Sequence, residues 1–151
     1  MDTIDFFKLQ SKNLHRDFKT RKLIINNEFG ELSYEYEPKH FDIELVIYDY
    51  NLDEENLTLM KAQHAIAQMA GFRKWTDLIK ASETDLKIVK ILYENQDIID
   101  LRMWIDYIAD EEKMDQTRFD SETKLAICEQ VFEMGVFGDV LFDCYLLDKK
   151  Y

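Results

Sequence analysis

The sequence predicts an α+β fold with an N-terminal helix, a small antiparallel sheet of two or three strands, and a mostly helical C-terminal two-thirds. Three observations support this prediction. Apolar residues recur at helical spacing over residues 3–20 and over most of residues 58–134, whereas residues 22–37 alternate β-branched and aromatic residues with polar ones. The length of 151 residues is typical of one domain, so we expect residues 1–151 to fold as a single domain.

The predicted N-terminal helix, residues 3–20, has a row of basic side chains beside its apolar face. The apolar residues are Ile4, Phe7, Leu14 and Phe18, and the basic residues are Lys8, Lys12, His15, Arg16 and Lys19. The row is either a solvated helix face that complements an acidic body, or a surface for an acidic partner, an RNA or an anionic membrane. The candidate partner-binding residues are therefore Lys8, Lys12, Arg16 and Lys19.

Two strands are predicted over residues 22–26 and 31–37, with a turn-forming segment between them. Pro38 ends the second strand, because proline cannot donate to a sheet ladder. Residues 41–48 also alternate apolar with polar side chains, which predicts a third strand. A short helix that begins at Phe41 is the alternative for this segment.

The most consistent local signals lie in residues 58–81, which predict a helix, a glycine stop and a second short helix. Thr58 is the predicted N-cap, and Gly71 follows the last apolar residue, where a left-handed residue is common. The first helix is predicted to bury Leu59, Ala62, Ile66, Met69 and Ala70, and to turn Lys61, His64 and Gln68 away. The second is predicted to fold back through Phe72, Trp75, Leu78 and Ile79.

The same segment has the alanine–glycine spacing of a helix-turn-helix motif, with Ala67 and Gly71 in the two positions. That motif requires apolar residues six and nine positions after the glycine, where this chain has Asp77 and Lys80. The pattern therefore favours a packed helical hairpin over a DNA-reading helix.

The pattern of residues 57–83 is a capping Ser/Thr, an alanine-rich helix and then Gly-Phe-x-x-Trp-x-x-Leu. It resembles a helical segment in small bacterial proteins of unassigned function, some described as glyoxalase-related. The resemblance is confined to this segment and includes no known catalytic residue, so it implies no activity.

Three longer helices are predicted after this pair, one capped by Ser82, one by Asp97 over about residues 98–112, and one by Asp120 or Ser121 up to residue 134. Gly135 is the predicted stop of the third. Residues 136–147, which include Asp139 and Asp143, predict a short final helix, and residues 149–151 a loose tail.

The helix predicted over residues 98–112 is apolar on two faces. One face consists of Leu101, Trp104, Ile105 and Ile108, and the other of Ile99, Met103 and Tyr107. Such a helix is either central in the fold or half buried, with a partner on its free side. The pattern favours the central position and leaves Ile99, Met103 and Tyr107 as further candidate partner-binding residues.

The net charge of −12 is unevenly distributed. Residues 1–22 contain six Lys/Arg and three Asp/Glu, a net +3, whereas the rest contains 13 against 28, a net −15. An acidic body of this kind repels phosphate backbones and attracts basic surfaces. The charge therefore predicts either a protein partner with a basic surface or simply good solubility, and we do not expect general nucleic-acid binding.

No signature of catalysis or metal binding is evident. The histidines are His15, His40 and His64, and no two have a metal-ligand spacing. Residues 49–53 begin like a calcium loop, but Glu54 and Met60 stand where that loop needs glycine and glutamate. No nucleophile elbow or phosphate loop is present. The sequence thus predicts no metal and no cofactor.

The two cysteines, Cys128 and Cys144, are predicted to be reduced thiols of a cytoplasmic protein. The first residues lack the pattern of a signal peptide, and no run of about 18 apolar residues exists, so no membrane association is expected. A disulfide or a metal pair is the alternative for the two thiols.

Three functions are compatible with these features. The first is a non-enzymatic acidic interaction module, comparable by analogy alone to inhibitors, antitoxins or immunity proteins. The second is a small enzyme with a site around His64 and nearby carboxylates, and the third is a nucleic-acid binder that uses the basic N-terminal helix. The sequence favours the first and leaves the oligomeric state and the biological process open.

Overall fold

A computed structural model describes residues 1–26, 28–138 and 141–150. Within these residues the chain has the predicted α+β order of an N-terminal helix, a two-stranded antiparallel sheet and then mostly helices. The elements are α1 (Thr3–Phe18), β1 (Lys22–Asn26), β2 (Glu31–Glu35), α2 (Ile43–Asp49), α3 (Leu59–Met69), α4 (Trp75–Lys80), α5 (Glu83–Glu94), α6 (Leu101–Asp115), α7 (Ser121–Glu133) and a 3₁₀ turn (Leu147–Lys149). None of the helices in this part of the chain is long and apolar enough to cross a bilayer.

Two clusters of buried side chains make up the interior. The first cluster joins α1, α2, α3, α4 and one side of α5, and the second joins the other side of α5 to α6 and α7. Leu86 and Tyr93 of α5 are buried in the first cluster, whereas Ile88 and Leu92 are buried in the second. Because residues four and seven apart share a helix face, these two pairs lie on different faces of α5. Helix α5 is therefore a wall common to both clusters.

Helix α1 buries Phe7, Leu14 and Phe18, as its spacing predicts, and ends two residues before the predicted boundary. Asp17 is the penultimate residue of α1, and its carboxylate is buried and accepts three backbone hydrogen bonds. The donors are the N–H groups of Lys39, His40 and Phe41, at 2.9, 2.8 and 2.8 Å. These bonds fix the extended segment after Pro38 to the end of α1.

The sheet contains two strands, and the predicted third strand is wrong. Residues 43–49 form helix α2, whose N-cap Asp42 accepts a 3.2 Å hydrogen bond from the Leu45 N–H. Phe41 makes only an isolated bridge to Leu146. The alternation over residues 41–48 also contains a helical spacing, since Ile43 and Val46 are the residues that α2 buries. The alternative of a short helix is therefore correct, with a start two residues later than predicted.

The helix pair α3–α4 forms as predicted. Thr58 Oγ1 accepts the Lys61 N–H at 3.2 Å, and Gly71 has a left-handed φ of +94°. The N–H groups of Gly71 and Phe72 reach back to the carbonyls of Gln68 and Ala67, at 3.0 and 2.9 Å. This is the Schellman pattern of two reverse hydrogen bonds, and it ends α3 abruptly.

The predicted faces of this pair are largely confirmed. Helix α3 buries Ala62, Ile66 and Ala70 together with Ala65 and Ala67, and these small side chains let it lie close to α1. Leu59, predicted to be buried, is instead 38% exposed. Helix α4 has only six residues and turns Leu78 into the core, with Phe72, Trp75 and Ile79 packed beside it. The apolar face of α4 is thus used for packing.

Helix α6 begins at Leu101 and not at residue 98, because Asp100 is its N-cap and not Asp97. Asp100 Oδ1 accepts the Met103 N–H at 2.8 Å, and Ile99 stands before the helix with 2% exposure. Helix α7 has the predicted cap, Asp120, and the predicted stop, Gly135, at φ +66°. The predicted helix over residues 136–147 is wrong, because residues 136–138 and 141–146 contain no helix.

Residues 141–146 run as an extended segment, and three backbone hydrogen bonds hold this segment and Leu147 to two other parts of the chain, Asp97 and residues 40–42. The Phe142 N–H donates to the Asp97 carbonyl, the Tyr145 carbonyl accepts from Asp42, and the Leu147 N–H donates to the His40 carbonyl. These bonds replace the intrahelical ones. Asp139 of the predicted helix lies outside the described residues. The tail is not loose at Lys150, whose ammonium pairs with Asp42 at 2.7 Å and with Asp143.

Candidate functional site

A cleft of about 360 Å³ opens where the two clusters meet. Its sides come from α2, the last turn of α3, α5, the start of α6 and the extended segment 142–145. The apolar lining residues are Leu45, Met69, Ala70, Val89, Leu92, Ile99, Leu101 and Phe142. The polar lining residues are Asp49, Tyr50, Gln68, Gln96, Asp100, Asp143, Cys144 and Tyr145.

Three exposed aspartates stand among the lining residues, and local structure sets the position of each. Asp49 is the last residue of α2, and its Oδ2 accepts the Tyr145 hydroxyl at 2.7 Å. Asp100 lies at the mouth because it caps α6. Asp143 follows Phe142 in the extended segment and hydrogen-bonds Lys150. Of these three carboxylates only that of Asp143 pairs with a lysine within the described residues, so this part of the cleft is negative.

Lys150 retains its charge at this edge. Partial burial alone lowers the pKa of its ammonium, but the hydrogen bonds to Asp143 and Asp42 outweigh it and raise that pKa overall. The same pair acts on Asp42, where burial raises the carboxyl pKa and the bond to Lys150 brings it below its usual value. The pair therefore fixes the C-terminal segment to the start of α2.

Tyr50 and Tyr145 form an aromatic wall, with ring centroids 5.4 Å apart and planes 42° from parallel. Burial raises the pKa of both phenols, and hydrogen bonds to Tyr50 and Asp49 raise that of Tyr145 further. Both hydroxyls are therefore protonated at neutral pH and act as hydrogen-bond donors, not as bases.

Gln96 supplies a donor without a partner. Its Oε1 accepts the Tyr145 N–H at 3.4 Å, whereas its Nε2 is buried and makes no hydrogen bond within the described residues. Buried polar groups are normally hydrogen-bonded, so this amide nitrogen is an exception among the described residues.

The cleft has no activated nucleophile among its described side chains. Its cysteine, Cys144, is buried, and burial is the main reason why its thiol pKa is raised. A raised pKa keeps the thiol protonated, and the protonated form is the unreactive one. Cys128, in α7, is also buried, with a pKa raised to about 12. Both cysteines are free, so the pairing alternative is not realised in the described residues.

The basic row of α1 is exposed, as the sequence predicts, but it does not contribute to the cleft. Lys8, Lys12, Arg16 and Lys19 are all exposed, and no ion pair involves them within the described ranges. His15 lies beside them half buried, and burial, followed by the charge of Lys19, lowers its pKa. The row is therefore a positive surface separate from the acidic cleft.

Helix α6, which the sequence predicts to be apolar on two faces, differs from that prediction in where these residues lie. Ile99 lies in the buried floor of the cleft and not on a free helix face. Met103 and Tyr107 pack on the second cluster, where Tyr107 meets the Phe137 ring edge-on at 5.4 Å. Ile105, predicted to be in the core, is 52% exposed. Phe137, which follows α7, thus covers the Tyr107 part of the face that the sequence left for a partner.

His64 is half buried on α3 and does not line the cleft. Its imidazole makes no hydrogen bond or ion pair to a carboxylate in the part of the chain that the structure describes. The general-base role needs such an orienting partner. The hypothesis of an enzyme around His64 therefore gains no geometric support.

The sequence did not identify the residues that the fold brings together here. Asp49, Gln96, Asp100 and Tyr145 come from four separate segments, and each has a local explanation as a turn, cap or loop residue. Only Asp100 gave a usable local signal, since it precedes an apolar helix as a capping residue does.

Within the described residues no group of three or more His, Cys, Asp or Glu side chains has the arrangement of a metal site. Comparison with known proteins finds no matching family model, no matching curated protein and no matching solved structure.

Proposed function

We propose that this chain is a non-enzymatic protein-interaction module of the cytoplasm, and that it holds a basic segment of a partner protein in the acidic cleft. The observation that supports this proposal is a cleft lined by eight apolar residues together with three exposed aspartates. Lysine and arginine match such a site, because their aliphatic stems cover apolar surface while their charged heads stay at the wet edge.

The surroundings of the cleft add to this match. The chain beyond residue 22 has an excess of 15 acidic residues, so the field around the cleft attracts cations from a distance. Roles such as enzyme inhibitor, antitoxin or immunity protein use surfaces of this type and remain analogies.

We expect the variant Asp49→Asn with Asp100→Asn to bind a basic peptide about three- to tenfold more weakly, because two exposed charge pairs contribute about 1 kcal/mol in total. Asparagine keeps the cap on α6 and can still accept from the Tyr145 hydroxyl, so the fold is retained. The measurement is a fluorescence titration with a labelled peptide of alternating arginine and leucine, at low salt and at 0.5 M salt.

The matched control is Asp110→Asn with Asp115→Asn, which removes two exposed charges from the other end of α6. A peptide with glutamate in place of arginine controls for hydrophobic adsorption. Equal loss of binding in both double variants, or binding that high salt leaves unchanged, would count against the cleft as the site.

The basic row of α1 favours nucleic-acid binding as a second candidate function, because four exposed cations on one helix match a phosphate backbone. We expect wild-type protein to bind RNA or DNA weakly at low salt if this function exists, and Lys12→Glu with Arg16→Glu to abolish that binding. A titration with single- and double-stranded oligonucleotides measures it. Absence of binding, or binding unaffected by the charge reversal, rejects this candidate.

A further inference from the structure

The hairpin β1–β2 presents an apolar face that nothing in the described chain covers. The register pairs Leu23 with Tyr34 and Ile25 with Leu32, so these four side chains share one face. Leu23, Ile25 and Leu32 are 53, 60 and 64% exposed, and only Tyr34 is shielded, by the Arg21 guanidinium 4.6 Å above its ring. An exposed apolar cluster of this kind commonly marks an interaction surface.

The hairpin is fixed to the body mainly by polar contacts near its base. Tyr36 donates to Glu54 at 2.7 Å, Tyr34 donates to Glu55, and the Glu37 N–H donates to Thr20 at 2.9 Å. Both outer strand edges are free of strand partners in the residues that the structure describes. An isolated two-stranded sheet is marginal in water, whereas three or more strands with an apolar face are stable.

The charges on the two strands distinguish their edges. Strand β1 has one charged residue, Lys22, whereas β2 has Glu31 and Glu35 at its two ends. If two copies of β2 pair antiparallel about Ser33, each Glu31 faces a Glu35, which is unfavourable. If two copies of β1 pair about Ile24, Lys22 faces Asn26 and Leu23 faces Ile25, with no like charges opposed.

We propose that the β1 edge is the contact with a second copy of this chain, and that antiparallel β1–β1 pairing about Ile24 joins two hairpins into one four-stranded sheet. The pairing is two-fold symmetric and therefore closes as a dimer. Residues directly opposite in an antiparallel pair point to the same face, so Leu23 and Ile25 of the two copies pack side by side. The contact uses only five residues per copy, so the dimer is weak and depends on concentration.

We expect sedimentation velocity over a concentration series to show a monomer–dimer equilibrium, and Asn26→Lys to raise its dissociation constant about tenfold, because each copy then opposes Lys22 with a lysine. Within its own hairpin the new lysine faces Glu31, so loss of the fold does not explain the effect. Adding Lys22→Glu and Glu35→Lys to Asn26→Lys restores opposite charges across the contact, keeps residues 22 and 35 oppositely charged within each hairpin, and is expected to restore the dimer. Ser33→Lys, the same charge on β2, is expected to leave it unchanged.

A position-specific cross-link provides the second measurement. Ile24 faces its own counterpart across the two-fold axis, at a Cα separation of about 4.5–5.5 Å that a disulfide can span. Under mild oxidation Ile24→Cys is expected to give a covalent dimer, and Ser33→Cys is expected to stay monomeric. Monomer at every concentration, larger polymers, or cross-linking through Ser33→Cys instead overturns the proposal.

Discussion

Replacing Asp17 by alanine is expected to lower the free energy of unfolding by about 3–5 kcal/mol, because three backbone N–H groups, that of Phe41 buried and those of Lys39 and His40 partly buried, lose their acceptor at once. The side chain is 2% exposed, so water cannot take its place without opening the structure. Urea denaturation followed by circular dichroism measures the change. The loss should appear in the midpoint and leave the slope unaltered, since the same surface is exposed on unfolding.

Asp17→Asn provides a graded test of the same contact. One oxygen of Asp17 accepts from Lys39 and the other from both His40 and Phe41. Asparagine can serve only one of these two sides, because its amide nitrogen is a donor. We therefore expect a loss of about 2 kcal/mol. Asp5→Ala removes an exposed aspartate from the same helix and should cost no more than about 0.5 kcal/mol. Equal effects of Asp17→Ala and Asp5→Ala would falsify the assignment.

Replacing Gly71 by alanine is expected to destabilise the protein by about 2–4 kcal/mol, from backbone strain and overpacking together. The φ of +94° is outside the comfortable range of residues with a side chain. A Cβ at this position would also stand 2.5 Å from Leu101 Cδ2, so the Leu101 side chain must turn away. Thermal and urea unfolding of the variant measure the loss.

Two matched changes separate strain from crowding at Gly71. Gly30→Ala tests strain alone, because Gly30 has φ +65° and open space around its Cβ position, and we expect about 1 kcal/mol. In the Leu101→Ala background the contact is absent, so Gly71→Ala should cost less than it does in the wild type. A cost that is the same in both backgrounds would show that Leu101 plays no part.

Local chemistry made part of this fold predictable from sequence. The two ends of α3 were predicted correctly from Thr58 and Gly71, because each of these residues acts on backbone atoms within a few residues of itself. Residues 41–48 were ambiguous because their apolar residues satisfy both a two-residue and a three-residue spacing, and only burial of Ile43 and Val46 decides for helix. Asp97 and Asp100 are equivalent caps by sequence, and burial of Ile99 between them selects the second.

The contacts of Asp17 and of the cleft were less predictable, because in both cases the residues that interact are distant in sequence. Asp17 looks like any solvated charge on a helix, and the backbone that it binds lies 22–24 residues away. In the cleft, likewise, Asp49 accepts a hydrogen bond from Tyr145, which is 96 residues away in the sequence. The basic row of α1 was found because all its members lie on one helix. Spacing within an element is visible in a sequence, whereas convergence of separate elements is a property of the assembled core.

Because α5 belongs to both clusters of buried side chains, the cleft depends on both clusters being folded. The cleft is lined from α5 by Val89 and Leu92. It is also lined by Met69 and Ala70 at the end of α3 and by Leu101 at the start of α6. A ligand that contacts all three helices binds with its full affinity only while both clusters are folded. By thermodynamic linkage, such a ligand suppresses partial unfolding of either cluster. The two clusters should therefore unfold in a single thermal transition when the ligand is bound.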